Sequence, residues 1–319
     1  MTAVAVLAGG VGAARLLAGM VRTVPPASVT AVVNVADDTV LHGLDISPDL
    51  DTVVYTVAGA IDSERGWGLR DESWQAMATL ERYGAATWFG LGDRDLGTHL
   101  YRTGRRAEGA PLSTVTGEIA RGWGLELDVR PVSDDPIRTM LTLAGSGEEV
   151  GFQDYFVRLR HQVAVAGVRF AGADGSAPAP GVLEALAGAE TVVVAPSNPI
   201  VSIGPVMAVP GIAEAVAARR ESVVAVSPLV GGRALKGPAD RLMRELGHED
   251  SVVGVARLYA PYVGTLVIDA ADADLAPQVE AVGLRCVVTD TIMRDPAAAA
   301  ALCKVALGRE RSSDGKGCE

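Results

Sequence analysis

The chemistry available to this chain is concentrated in its acids. The segment NVADD sets Asn34, Asp37 and Asp38 behind a Val-rich run, and SPDLDT follows with Asp49 and Asp51 two residues apart. Capping is the ordinary use of an acid at a helix start, and the apolar run VVYTVAGAI reads as such a helix. Four acids exceed what capping needs. Hard carboxylate oxygens suit Mg²⁺, which commonly takes one or two of them together with phosphate oxygens of a substrate. A second group, LGDRDLGTH, holds Asp93, Arg94, Asp95 and His99 after the strand-like run WFGL, and a third, SDDPIRT, holds Asp134 and Asp135 after LDVRPV. Surface ion pairing is the plain alternative for either group.

Groups that hold an anion are present as well. In AGGVGAARLL, Gly9, Gly10 and Gly12 stand where backbone N–H groups meet a phosphate at a helix start, with Arg15 one turn on. The spacing is neither a full GxGxxG nor a P-loop, so ordinary tight-turn glycines compete with that reading. Ser197 and Asn198 in APSNPIVSIGP offer a hydroxyl and an amide to a phosphate or a guanine edge, or else cap a helix. Arg233 and Lys236 in SPLVGGRALKGPAD read as a flexible diphosphate clamp or as an exposed basic loop. The four histidines have no zinc-ligand spacing, and no GxSxG elbow is present.

These residues need a scaffold that gathers strand ends. Val-rich runs at 3–8, 29–35, 191–195, 222–226, 264–268 and 284–288 suit strands buried on both faces. Ala- and Leu-rich stretches at 13–21, 181–189 and 211–219 have helical spacing, so the expected fold is α/β, a doubly wound and mostly parallel Rossmann-like sheet. The whole chain, 1–319, reads as a single catalytic unit. Residues 139–175 and 232–262 break the rhythm and read as a lid or a small appended α/β subdomain. The tail RSSDGKGCE reads as a frayed terminus.

Composition narrows the class. With 319 residues, 49% of them hydrophobic, the chain can bury a large core, and a net charge of -11 disfavours a nucleic-acid partner. Three cysteines, Cys286, Cys303 and Cys318, have no disulfide or zinc pattern and fit a reducing, cytoplasmic setting. The start MTAVAVLAGG reads as a first β-strand, without the basic region or the apolar length expected of a secretory signal or a membrane span.

Taken in order, GGVGAARLL, VVNVADD, HGLDISPDLDT, RGWG, FGLGDRDLGTHL, LSTVT, SDDPIRT, APSNPIVSIGP, AVSPLVGGRALKGPAD and VTDTIM resemble the 2-phospholactate transferase family of coenzyme F-420 biosynthesis, CofD in methanogens and FbiA in actinobacteria. The resemblance covers nearly the whole chain. It implies a Rossmann-like core with a smaller α/β region, Mg²⁺ dependence and a homodimer. The reaction it implies joins the 5′-hydroxyl of the deazaflavin Fo to a phospholactyl or phosphoenolpyruvyl unit from a guanosine diphosphate-linked donor, releasing GMP. Carried over by motif, Asp51 and Arg94 would contact Fo, Asp37 and Asp51 would face the metal, Gly9, Gly10 and Gly12 would face phosphates, and Ser197 and Asn198 would lie on the nucleotide side, while the GGRALKGPAD loop that holds the clamp candidate Lys236 is a variable place in the family. Trp67, Trp88 and Tyr155 are stacking candidates for the deazaflavin. The first turn departs from relatives that read GGTGGPK, with Val11 and Arg15 in place of a threonine and a lysine. Two other readings compete: a non-catalytic sugar-nucleotide-binding regulator of the gluconeogenesis-factor type, and an NAD(P) oxidoreductase, which the broken glycine fingerprint disfavours.

Overall fold

The computed structural model describes residues 3–309, so Cys318 and the RSSDGKGCE tail lie outside the described residues. Seven strands form the central sheet: β1 (Val4–Ala8), β2 (Val29–Val33), β3 (Asp128–Pro131), β4 (Thr191–Val194), β5 (Val223–Val226), β6 (Thr265–Asp269) and β7 (Arg285–Thr289). Their order is β7-β6-β5-β4-β1-β2-β3, and every pairing is parallel. The expected doubly wound sheet is therefore present. Because crossover helices cover such a sheet, its inner strands lack polar alternation, and β1 is buried along its whole length, whereas the edge strand β3 alternates. The order reverses beside β1, between the β1–β2 and β1–β4 connections. Ligands bind in the crevice at such a switch point.

Four helices position the site: α1 (Gly10–Met20), α2 (Pro48–Val57), α3 (Asp93–Ala107) and α4 (Leu112–Gly122). Helix α1 packs against α2 and against the Ala-rich helix Pro296–Ala306. The second contact is close, since a Cβ on Gly19 would lie 2.6 Å from the carbonyl oxygen of Ala299. The run WFGL, read from sequence as strand-like, has no strand assignment. It leads directly into α3, so Asp93 and Arg94 occupy the first turn of a helix.

A separate three-stranded antiparallel sheet is built from Arg138–Leu143, Glu149–Gly151 and Val165–Ala171, with Arg138–Leu143 in the middle. Its inner residues Leu141, Val150 and Val165 share a small core with Tyr155 of the helical turn Asp154–Arg158 and Leu242 of the helix Ala239–Glu245. Helix Val252–Tyr259 instead buries its apolar residues in the main core. The small sheet is fastened to the site by Gln153, whose side-chain amide donates to the Asp37 carbonyl at 2.9 Å. No helix among the described residues is long and apolar enough to cross a membrane.

Candidate active site

The first wall of the site is the turn between β1 and α1. Gly10 has φ +71°, a conformation open to glycine at little cost. A Cβ on Gly12 would lie 2.3 Å from the Pro196 carbonyl oxygen, and one on Gly9 would lie 2.8 Å from Ser202 Cβ and 3.1 Å from an Asp49 carboxylate oxygen. These glycines thus let three chain segments meet. Ser197 fixes the meeting by donating its hydroxyl to the Gly9 carbonyl at 2.7 Å. Asn198 caps the helical turn behind it, accepting from the backbone N–H groups of Ile200 at 2.9 Å and Val201 at 3.3 Å. Both residues therefore support the turn, and the capping alternative for Asn198 is realised.

The acids of NVADD and SPDLDT come together beside this turn. Asn34 lies beyond the end of β2, donates to Asp49 at 3.0 Å and accepts from Ala36 N–H at 2.9 Å. Neither Asp49 nor Asp51 caps α2 with its side chain. Asp37, Asp49 and Asp51 are all buried, and one oxygen of Asp37 has no hydrogen-bond partner. Burial, then the charges of Asp49 and Asp38, hold the Asp37 carboxyl well above its ordinary range. Burial also pushes Asp49 up to about 6, although the Asn34 amide and the Gly10 N–H draw it back. Asp38, which accepts from Ser47 at 2.8 Å, is pushed up by burial to about 7. Two buried carboxylates with too little positive charge between them are a site that a hard cation would complete.

Asp51 faces a different environment. Arg102, only 1% exposed, donates to both of its oxygens, one bond measuring 3.1 Å. The same guanidinium reaches the Asp45 carbonyl at 3.3 Å and His99 Nδ1 at 3.2 Å. Because arginine only donates, His99 Nδ1 accepts and its proton sits on Nε2, 3.4 Å from Asp95. Tyr55 donates to the other Asp95 oxygen at 2.7 Å. Burial raises Asp51 against the opposing charge of Arg102 and the bonds from its guanidinium. At Asp95, burial is outweighed by bonds from His99 and Tyr55 and by the Arg102 charge, so that carboxyl lies below its ordinary range. Asp51, Asp95 and His99 are close enough together to hold a metal ion, but the guanidinium already occupies Asp51.

The remaining candidates fall elsewhere. Arg94 is exposed, and its guanidinium donates to the Arg70 carbonyl at 2.6 Å. Residues 95, 99 and 102 share the inner face of α3, and Arg94, one residue before Asp95, points about 100° away from it. Asp93 caps the helix Gln75–Arg82 through the N–H groups of Gln75 and Ala76. Asp134 bonds the N–H and hydroxyl of Ser113 at the start of α4, and Asp135 bonds Ala177 N–H. Asp134 and Asp135 also line a cleft shared with Asp38, Ser47 and Arg102. Lys236 lies over Gly66, its Nζ 2.6 Å from where a Cβ would stand, and burial followed by the charge of Arg15 lowers its pKa. The clamp loop thus approaches both α1 and the RGWG loop. Tyr155 is fully buried with its hydroxyl on Arg241, which removes it as a stacking surface, whereas Trp67 is 44% exposed. Arg102 was missed from the sequence, although spacing of 95, 99 and 102 is a helical signal.

A family model described as 2-phospho-L-lactate transferase CofD matches residues 4–304. Phosphoenolpyruvate transferase of Streptomyces griseus is 42% identical over 308 residues, covering 95% of this chain and 97% of that protein. The Phosphoenolpyruvate transferase of Mycobacterium avium is 38% identical over 330 residues, again covering 95% of this chain and 97% of its own. A solved member of the UPF0052 family from Bacillus halodurans has the same fold, with a TM-score of 0.61 at 18% identity, covering 96% of this chain and 98% of that one. This chain belongs to the 2-phospho-L-lactate transferase CofD family, a family of transferases.

Proposed function

We propose that this chain transfers the phosphoenolpyruvyl unit of a guanosine diphosphate-linked donor to the 5′-hydroxyl of Fo, releasing GMP, in the cytoplasm and as a homodimer. The observation that carries this reading is the full-length likeness to curated phosphoenolpyruvate transferases, which also favours the enolpyruvyl donor over the lactyl one. In the reaction the hydroxyl oxygen bonds to the distal phosphorus while the bond from that phosphorus to the GMP oxygen breaks. The hydroxyl proton is lost to a base.

The chain's own groups fit these tasks. The Gly9–Gly12 turn presents N–H groups at the start of α1 to the diphosphate, and Lys236 with Arg15 adds positive charge from the side. Asp37 and Asp49 would hold Mg²⁺, because they are the buried acids short of positive charge and one Asp37 oxygen lacks a partner. Bound there, the ion would neutralise the diphosphate and the charge developing on it. This reading moves the metal from the Asp37 and Asp51 pair to Asp37 and Asp49, and it leaves Asp51 to the acceptor. Trp67 of the RGWG loop offers an exposed aromatic face to the deazaflavin.

The test incubates purified protein with Fo, Mg²⁺ and each donor, following GMP by chromatography and product by mass. A product carrying the enolpyruvyl mass with stoichiometric GMP supports the proposal. No GMP from either donor would overturn it, and a product from the lactyl donor alone would reverse the donor choice.

A further inference from the structure

Asp51 differs from Asp37 and Asp49 in having a guanidinium on both oxygens. A planar fork on a carboxylate fixes its orientation as well as its charge, which a lysine ammonium cannot do. Each oxygen keeps a further lone pair for another donor. The fork is itself held, by the Asp45 carbonyl and by His99, and His99 is backed in turn by Asp95 and Tyr55. Tyr55 packs edge-on to Trp123, ring centroids 5.5 Å apart. A line of buried groups thus runs from α4's C-terminal end to one carboxylate.

We infer that Arg102 is a positioning residue: its fork sets the Asp51 carboxylate as the hydrogen-bond acceptor for the substrate hydroxyl and withdraws it from the cation held by Asp37 and Asp49. A cation approaching Asp51 would have to displace the guanidinium or lie against its charge. The inference rests on the proposed transferase reading for the identity of the hydroxyl. Its metal-binding part stands independently of the acceptor.

Two sets of variants in the full chain test it. Arg102→Lys keeps the charge without the fork, and Arg102→Gln keeps one donor without the charge. Each is expected to lower kcat by about ten- to a hundredfold, as misplacement of a reacting group by about 1 Å does, with the KM for the donor unchanged and the fold retained. Wild-type kcat in Arg102→Lys would overturn the inference. So would failure of both variants to fold, which would make Arg102 a structural residue only. Calorimetry with Mg²⁺ alone supplies a reading that needs no turnover: Asp51→Asn is expected to leave Mg²⁺ affinity unchanged, and Asp37→Asn to weaken it more than tenfold. Equal weakening in the two would place Asp51 on the metal and sink the inference. If wild-type protein binds Mg²⁺ in this pattern yet makes no product from Fo, the proposed acceptor fails and the division of the acids survives.

Discussion

At the scale of single residues, each acid is defined by what neutralises it. Asp37 and Asp49 are buried together, with the Thr139 hydroxyl, the Asn34 amide and the Gly10 N–H as neutral donors nearby and burial holding both carboxyls above their ordinary range. Asp37→Asn and Asp49→Asn are therefore expected to abolish turnover. Removing a buried like charge should also leave the melting temperature in EDTA equal to or above that of the wild type. Thermal denaturation beside an activity assay checks both, and a lower melting temperature with retained activity would make these acids structural. Asn198 is expected to behave otherwise. Its side chain caps Ile200 and Val201, so Asn198→Ala should cost about 1 kcal/mol of stability while GMP affinity holds. A tenfold loss of GMP binding at unchanged melting temperature would return Asn198 to the nucleotide.

At the scale of elements, α1 is fixed at both ends by close approaches. Its start meets the Pro196 carbonyl at Gly12, and its end meets the backbone of the C-terminal helix at Gly19. Gly19→Ala places a methyl group against main chain that no rotamer change can clear. Overpacking of that kind costs roughly 1–3 kcal/mol, read as a drop in denaturant midpoint at constant slope. An unchanged midpoint would show that the two helices can separate without loss. Helix α3 serves two sides at once, presenting Asp95, His99 and Arg102 inward while Arg94 ties the 60–72 loop from outside. Arg94→Ala is expected to weaken Fo binding several-fold by loosening the loop that carries Trp67, with GMP binding unaffected. Calorimetry with each ligand separates that outcome from a direct role on the donor.

At the scale of the whole molecule, the carboxyls raised by burial govern how stability follows pH. Asp49, about 6 when folded against an ordinary value of 3.8, binds more protons folded than unfolded between those values. Stability of the metal-free protein therefore falls as pH rises from about 4 through 6, and Asp38 extends the fall to about 7. The loss from Asp49 alone is on the order of 1–3 kcal/mol. Urea denaturation in EDTA at pH 5 and pH 8 measures it, and greater stability at pH 8 would contradict the buried-acid description.

The sequence by itself determined six of the seven strands of the parallel sheet, because strands covered by helices read as unbroken Val-rich runs, and their ends differ from the expected ones by no more than two residues. It also determined the β1–α1 glycine turn and the acid-rich strand end, since turns and helix starts write themselves in adjacent residues. Which acid takes which partner was decided only by tertiary structure. Asp51 and Arg102 lie 51 positions apart, on two helices that meet only in the folded chain, where α3 lies against α4 and the short strand Leu44–Ile46. The same holds for Ser197, tied to Gly9 across 188 positions, and for Gln153, tied to Asp37 across 116. WFGL misled because a short apolar run has the same local pattern whether it enters a sheet or packs beside a helix start. Charge pairing in a buried site follows distance in space, and no spacing within one segment encodes it.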